Sequence, residues 1–453
     1  MTESSSCYAS SAADLPSLLA TKDWDALRTI LAQIPDQDIA TCVPELEQAD
    51  QQRLLLRLLP IERASHVFSH LSTEQQAEVL ETLADPDKAR LLMELPYDDA
   101  AALLHELPDE HSQVLMEMFP REDQQILAHL LAFPEHSAGR FMTPEFVTLR
   151  PDWSIGRALD HVREHSALGE TVNVVFVTDE QGVLLGVLSL RELLLGRPWH
   201  RVETLAQLDV ISIEADVDRE KVAGLMRHYD LEVLPVVDAQ GILLGIITVD
   251  DVMDVVEQEG TEDFHKMASV GVMTLGLKEA SMSLLYRKRI GWLIILVVVN
   301  LLSGATIAFF ETAIEAVIAL VFFLPLVIAS GGNAGAQSAT LMVRAIATGD
   351  VQTRNGMRLW GKELLVSIGL GITLALTVWG AGVWLGGVLV GMAVAIAMFL
   401  VVIIASLFGL MLPFALNALR IDPATASAPL ITSVVDVLGI FIYFSVATAI
   451  LQL

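Results

Sequence analysis

From residue 290 to its end the sequence runs through five apolar segments, at about 290–311, 316–341, 360–386, 388–413 and 426–451. Each is long enough to cross a bilayer. Backbone polar groups in hydrocarbon must be satisfied within the segment, so these stretches can fold only as helices. After Arg289 there are five basic residues (Arg344, Arg354, Arg358, Lys362, Arg420) and six acidic ones (Glu311, Glu315, Asp350, Glu363, Asp422, Asp436). The preceding stretch is its opposite, holding 23 Lys and Arg against 50 Asp and Glu in a 453-residue chain of formal charge −28. A mean hydropathy of +0.53 on so acidic a chain therefore reflects two unlike parts.

The charges orient the apolar part. Arg287-Lys288-Arg289 precedes the first span, and the loops after spans two and four hold the remaining basic residues. The loops after spans one and three carry Glu311 with Glu315 and no charge, respectively. The excess of positive charge on one side predicts a cytoplasmic N-terminus, and an odd number of spans puts the C-terminus outside, in the cell (inner) membrane. The start, MTESSSCYASSAADLP, has no basic region followed by an apolar one, so no signal peptide is expected. Cys7 and Cys42 match no metal or redox spacing. An acidic region of this kind repels nucleic acid and anionic headgroups and attracts metal cations.

Residues 31–136, after a flexible start over 1–30, read as a stack of short helices. Pro60, Pro96, Pro108 and Pro120 fall on a twelve-residue grid, with Ser72 in the next slot after Pro60. Acids follow the prolines closely, as Asp98 and Asp99 follow Pro96. That placement suits the positive end of a helix dipole, which explains such acids without a ligand. The pattern predicts a superhelical α-domain.

A second repeat is closer. VVFVTDEQGVLLGVLSLREL (174–193) matches VLPVVDAQGILLGIITVDDV (233–252) at an offset of 59. Each copy reads as strand, turn, strand and helix start, preceded by an amphipathic helix. This resembles a tandem pair of cystathionine-β-synthase (CBS) domains, at 137–199 and 200–257, packed as one α/β unit. The family's nucleotide signature, Gly-x-x-Thr/Ser-x-x-Asp, is intact at Gly245, Thr248 and Asp251, whereas the first copy has Gly186, Ser189 and Glu192. The resemblance implies that ATP can bind, with Thr248, Asp251 and Ser189 as candidate contacts. The same residue types are also ordinary helix caps.

Residues 258–284 read as a connecting helix entering the membrane part. Glu259, Glu262 and Asp263 lie at i, i+3 and i+4, so they share a face and repel unless a cation or a basic partner lies between them. A solvated face is the plainer account.

In the spans, SGGNAG (330–335) is too rich in small and amide residues for a lipid-facing helix, and suits either close packing or a polar cavity. Asp436 lies fourteen residues past Asp422, about 21 Å along a helix, with no Lys or Arg at comparable depth. A carboxylate there costs about 2.5–3.5 kcal/mol even on the lenient insertion scale. It must face water, meet a cation or be protonated; a neutral Asp436 bonded to Thr432 or Asn333 is the structural alternative. Mg²⁺ suits a site of one or two carboxylates because it keeps most of its waters. Asn333 and exposed carbonyls near Gly331 and Gly332 could hydrogen-bond those waters, and a two-fold dimer axis would supply a second carboxylate.

The domain order, with PLVIASGGNAGAQS and DPATASAPLITSVVD, resembles the MgtE family of Mg²⁺ channels and transporters. The resemblance implies a homodimer whose pore is closed when cytosolic Mg²⁺ binds between acidic domains and a plug helix. It implies Asp436 as the pore ligand and Asp422 at the cytoplasmic mouth. Glu259, Glu262 and Asp263 would be the plug acids. Asp218, Asp230 and Asp251 would be sensor acids in the CBS pair, and Asp98, Asp99 or Glu62 their partners in the helical domain. Two features depart from the family: Arg227 lies near Asp230, and Ala428 has no side-chain oxygen where an amide can stand. Two other readings compete. One is a proton- or Na⁺-coupled carrier using Asp436 as a relay; the other is a CBS sensor merely anchored by its spans. An oxygen site does not by itself separate Mg²⁺ from Co²⁺, Mn²⁺ or Ni²⁺. No nucleophile–base set or phosphate loop points to an enzyme.

Overall fold

A computed structural model of the chain describes residues 18–452, leaving aside 20–23, 44–45, 47–48, 166–168, 274–279, 349–350, 352–355 and 420. Cys7, Asp350, Arg354 and Arg420 lie outside the described residues. The chain forms two compact units, Met1–Val256 and Glu257–Leu453.

The first unit begins with short helices: α1 (Trp24–Leu31), α2 (Asp36–Cys42), α3 (Ala49–Leu58), α4 (Ile61–Ser69), α5 (Thr73–Thr82), α6 (Asp85–Leu92), α7 (Tyr97–Glu106), α8 (Asp109–Met116) and α9 (Arg121–Ala132). The start expected to be flexible is thus ordered from Trp24, because Leu27 and Leu31 of α1 are buried in the core. The prolines sit one residue ahead of the first turn rather than in it. Pro60, Pro96, Pro108 and Pro120 are N-caps with φ between −51° and −56°. A ring-fixed φ holds each connection extended and lets the next residue start the helix. Ser72 fills its slot with a capping box to Gln75, and Ala84 fills the following one. Most of these helices pack on the second one along: α2 on α4, α4 on α6, α3 on α5, α5 on α7 and α7 on α9, while α8 packs on α7. Two helical layers result, with Val67, Phe68, Leu92, Leu103 and Leu127 between them. Arg63 ties the start of the stack by donating to the Leu31 and Ile34 carbonyls and to Asp36.

The CBS repeat follows. Strands β1 (Thr148–Leu149), β2 (Val174–Thr178) and β3 (Leu184–Ser189) form one sheet, with helices α10 (Ile155–His165) and α11 (Leu190–Leu195). Strands β4 (Ile213–Glu214), β5 (Val233–Val237) and β6 (Leu243–Thr248) form another, with α12 (Arg219–Tyr229). In each sheet the first pair is parallel and the second antiparallel, with a register shift at the same repeat position. The turn chemistry also repeats. Asp179 Oδ1 accepts from the Gln181 and Val183 amides, and Asp238 Oδ1 from those of Gln240 and Ile242. Gly182 and Gly241 take φ of 85° and 82°, where a side chain would be strained. The two hairpins join at these turns: Leu184 N donates to Gly241 O, and Leu243 N donates to Gly182 O.

Helix α13 (Val249–Met267) leaves β6 and runs into the second unit. There α14 (Met282–Phe309), a short α15 (Glu311–Ala316), α16 (Ala319–Ala347), α17 (Gly356–Ala418) and α18 (Ala428–Leu451) follow. Four of these are long and apolar enough to cross a membrane. The 63 residues of α17 would extend about 94 Å if straight, three times a bilayer core. Gly387, at φ 84° and ψ 174°, breaks it. A Cβ on Gly382 would stand 2.6 Å from Gly391 Cα, and one on Gly371 would stand 2.9 Å from the Phe399 ring. The chain therefore turns back at Gly387, and the apolar unit makes five passes. Helix α16 packs on both α17 and α18, and Tyr443 Oη donates to Leu320 O at 2.8 Å. Helix α14 packs on α18 yet fully buries none of its residues.

The α16–α17 crossing is very close, since a Cβ at Gly409 would lie 2.1 Å from Gly335 O. Gly409→Val should destabilise the protein by about 1–3 kcal/mol, seen as a lower thermal midpoint in detergent. Gly380→Val, at a position with open space around it, should leave the midpoint unchanged.

Candidate functional site

Three groups of acidic residues stand out, one in the first unit and two in the second. In the first unit, Asp98 and Asp99 lie in the opening turn of α7, while Asp250 and Asp251 lie in that of α13. Glu170 and Glu145 are bound in one loop contact, the Glu170 amide donating to the Glu145 carbonyl. Burial, then the charges of Asp251, Asp99 and Glu170, hold the Asp98 carboxyl well above the usual carboxylate range. Its Oδ1 is buried and has no hydrogen-bond partner among the described residues. Burial and then Asp251, Glu170, Asp254 and Asp250 push Asp99 up to about 7. Burial is also the first cause at Asp251, raised to about 6 despite a hydrogen bond from Thr248 that favours its charged form. Glu145 rises to about 7 through burial, Glu170 and Asp123. These carboxylates oppose one another, and burial leaves one Asp98 oxygen unpaired among the described residues.

Sequence reasoning singled out Asp98, Asp99 and Asp251 but missed Glu145, Glu170, Asp250 and Asp254. Asp250 and Asp254 were legible as neighbours of Asp251 on one helix; the two glutamates belong to loops and carry no local signal. Three other candidates fall elsewhere. Asp218 caps α12 by accepting from Glu220 N at 2.9 Å, and Asp230 ends that helix in the left-handed region at φ 52°. Glu62 lies in the first turn of α4. None of the three is among the charges that shift Asp98 or Asp99.

The nucleotide candidates occupy matching caps. Ser189 forms a capping box with Glu192, and Thr248 Oγ1 donates to Asp251 Oδ2 at 2.6 Å. The signature glycines serve close backbone approach. A Cβ on Gly245 would stand 2.8 Å from Thr143 O, and one on Gly186 would stand 3.0 Å from Gln207 O.

In the second unit, the end of α13 meets the entrance to α18. Asp422 caps the short turn Pro423–Thr425, accepting from Ala424 N, and also accepts from Lys266 Nζ. Lys266 bonds Glu262 as well. Ser269 and Ser427 share a buried hydrogen bond of 2.6 Å, and Met267 packs beside Ala424 and Ile431. Asp263 is raised to about 6 by burial and Asp422, an effect that Lys266 opposes and Glu259 and Glu262 reinforce. Glu262 and Asp263 thus have a built-in cation that sequence reasoning overlooked. Its spacing from Glu262, i to i+4, was the available clue.

The third group is within the spans. Asp436 is half-buried on α18. Thr432 donates to Pro429 O within its own helix at 3.0 Å, so Asp436 is not neutralised by the bond expected from Thr432. Asn333, Gln337 and Thr340 form an exposed stripe on α16. Gly331 and Gly332 differ from expectation. Both are buried inside a continuous helix and offer no exposed carbonyls. A Cβ on Gly331 would stand 2.5 Å from Val401, and one on Gly332 would stand 3.1 Å from Thr432. Their role is to bring α16 against α17 and α18. Among the described residues no three His, Cys, Asp or Glu side chains converge closely enough to hold a bare ion. An ion at any of these groups would keep bound water, the habit of Mg²⁺.

Comparison with known proteins follows the same domain order. The profile described as the MgtE intracellular N domain matches residues 17–136, the CBS domain matches 138–196 and 202–258, and the MgtE divalent cation transporter matches 324–446. The magnesium transporter MgtE of Thermus thermophilus is 40% identical over 444 residues, covering 97% of this chain and 98% of that protein. The chain belongs to the MgtE family. The Bacillus subtilis MgtE is 38% identical over 71% of each chain. The crystal structure of an MgtE cytosolic domain in complex with ATP superposes with a TM-score of 0.52 at 38% identity, covering 54% of this chain and 99% of that one. The multi-pass apolar unit fits a membrane-transporter family.

The acid group in the first unit gives a signed prediction. A carboxyl whose folded pKa is raised adds stability that is complete below its unfolded pKa and lost as pH rises through the folded value. Without divalent cations, thermal stability of the protein in detergent should fall between about pH 4 and pH 7, the window of Asp251 and Asp99. Mg²⁺ should restore stability at pH 7, and Asp99→Asn should flatten the fall; an unchanged pH profile in that variant would refute the assignment.

Proposed function

We propose that the chain is a homodimeric Mg²⁺ channel of the cell membrane, closed by cytosolic Mg²⁺. The observation that carries this reading is the group of mutually repelling carboxylates at Asp98, Asp99 and Asp251, with an orphaned oxygen on Asp98. Mg²⁺ bound there would favour the compact cytosolic arrangement, and its loss would release the repulsion. Helix α13 carries Asp250 and Asp251 near its start and Glu259, Glu262 and Asp263 further on. It is therefore the element through which a sensor could bias the pore entrance at Asp422. The relatives named magnesium transporters support Mg²⁺ as the cargo.

Asp436 is the proposed pore ligand, one from each protomer, reached by hydrated Mg²⁺ along the stripe of Asn333, Gln337 and Thr340. A second copy would also cover α14, which buries no residue fully within one chain. The spans from about residue 285 form the pore domain, with the N-terminus cytoplasmic and the C-terminus outside. ATP is proposed at the second CBS copy, beside Thr248 and Asp251, with Ser189 at the matching place in the first; the ATP-bound relative supports it.

In proteoliposomes, wild type should pass Mg²⁺ and be shut by Mg²⁺ on the cytosolic face, while Asp436→Ala should pass none. Flux that survives in that variant, or that follows a proton or Na⁺ gradient, would make the protein a coupled carrier instead. Asp251→Asn and Asp263→Asn should conduct at cytosolic Mg²⁺ concentrations that close wild type; closure at an unchanged concentration would remove them from the sensor.

A further inference from the structure

Helix α10 of the first CBS copy contains His161-Val-Arg-Glu-His165. Residues four apart share a helix face. Here the two imidazole rings lie together, with centroids 4.0 Å apart and planes tilted by 31°. Both residues are half-buried. His165 Nδ1 contacts the His161 carbonyl at 2.9 Å, which assigns the ring proton to Nδ1 and leaves the lone pair on Nε2. A ring nitrogen fixed in this way by a backbone carbonyl is the usual support of a metal-ligating histidine. Trp153 packs edge-on against His161 at 4.9 Å and holds the second ring from the other side.

Two neighbouring cations are engaged elsewhere. Arg157, one turn before His161, lies over the Trp153 ring at 4.3 Å, and Arg163 pairs with Asp160 at 2.9 Å. The His66 and His70 pair has the same spacing but a different outcome. His70 Nδ1 meets the His66 carbonyl at 2.8 Å, as His165 meets that of His161, yet His66 approaches Asp36 at 3.8 Å and no ring contact joins the two rings among the described residues. The spacing alone therefore does not bring two rings together; the support of Trp153 and the position within α10 do.

We infer that His161 and His165 form a binding site for a borderline divalent transition metal, such as Ni²⁺, Zn²⁺ or Cu²⁺, with water completing the shell. Two imidazoles at metal–nitrogen distances of about 2.0–2.1 Å suit these ions. Mg²⁺, which prefers oxygen and sheds water reluctantly, does not compete there. The site is separate from the carboxylate groups and uses none of their residues. It gives the protein a means of distinguishing later metals from Mg²⁺ that the oxygen sites lack.

The test uses the full-length protein in detergent, carrying no affinity tag, titrated with Ni²⁺ in a large excess of Mg²⁺ that occupies the oxygen sites. Wild type should bind one Ni²⁺ per chain by calorimetry. His161→Asn and His165→Gln should each weaken binding about tenfold or more, while His70→Gln should not. Equal binding in wild type and both α10 variants, or none in wild type, overturns the assignment. A second measurement on wild type is independent of any folding defect in the variants. One equivalent of Cu²⁺, again in excess Mg²⁺, should give an electron paramagnetic resonance spectrum with splitting from two nitrogens. A spectrum of oxygen ligands alone overturns the site.

Discussion

Carboxylates removed from water beside one another cannot all remain ionised unless something positive joins them. This constraint recurs at each acidic group of the protein, and each group meets it differently. At Asp98, Asp99 and Asp251 the leading charges are acidic, and among the group only Glu170 is eased by a basic ring, that of His66; the carboxyls rise instead, and one Asp98 oxygen is left without a partner among the described residues. The Asp422 group has Lys266, which bridges to Glu262 and opposes the upward push on Asp263. One group is open to a mobile cation, whereas the other carries a covalent one. A divalent ion therefore changes the balance most in the first.

The difference bears on gating. Lys266, together with the Ser269–Ser427 hydrogen bond and the packing of Met267, ties the end of α13 to the entrance of α18 without an added ion. On the proposed reading, the cation-dependent energy resides chiefly near the start of the same helix. A two-state element needs only a few kcal/mol of differential affinity to change its population. Holding one end with fixed contacts and the other through a mobile ion is an economical way to supply it.

Much of this was legible in the sequence because it is written in periodic form. The twelve-residue grid marked the helical stack, the offset of 59 marked the CBS pair, and apolar length marked the spans. The grid continues through Ala84, where the proline is displaced to Pro86 inside the first turn. What escaped was long-range. Lys266 meets Asp422 across 156 positions, and Glu145 and Glu170 reach the Asp98–Asp99 group from loops. The polar appearance of SGGNAG was misleading in part. Asn333 and Gln337 do reach the surface of the helix, but Gly331, Gly332 and Gly335 are there for backbone contact. Composition shows that a segment is unsuited to lipid and leaves open whether water or another helix replaces it.

The exchange of hydrogen bonds between the two CBS hairpins has a historical consequence. Leu184 N is satisfied by Gly241 O and Leu243 N by Gly182 O, a reciprocal pairing of equivalent positions. A shorter ancestor with a single copy would have left that edge bare. It could have closed the edge only by meeting another molecule of itself, with the same two bonds related by a true two-fold axis. Duplication within one gene would then have turned an association between molecules into a fixed feature of one chain. The sequences of the two copies were thereafter free to diverge, as the contrast between Glu192 and Asp251 shows.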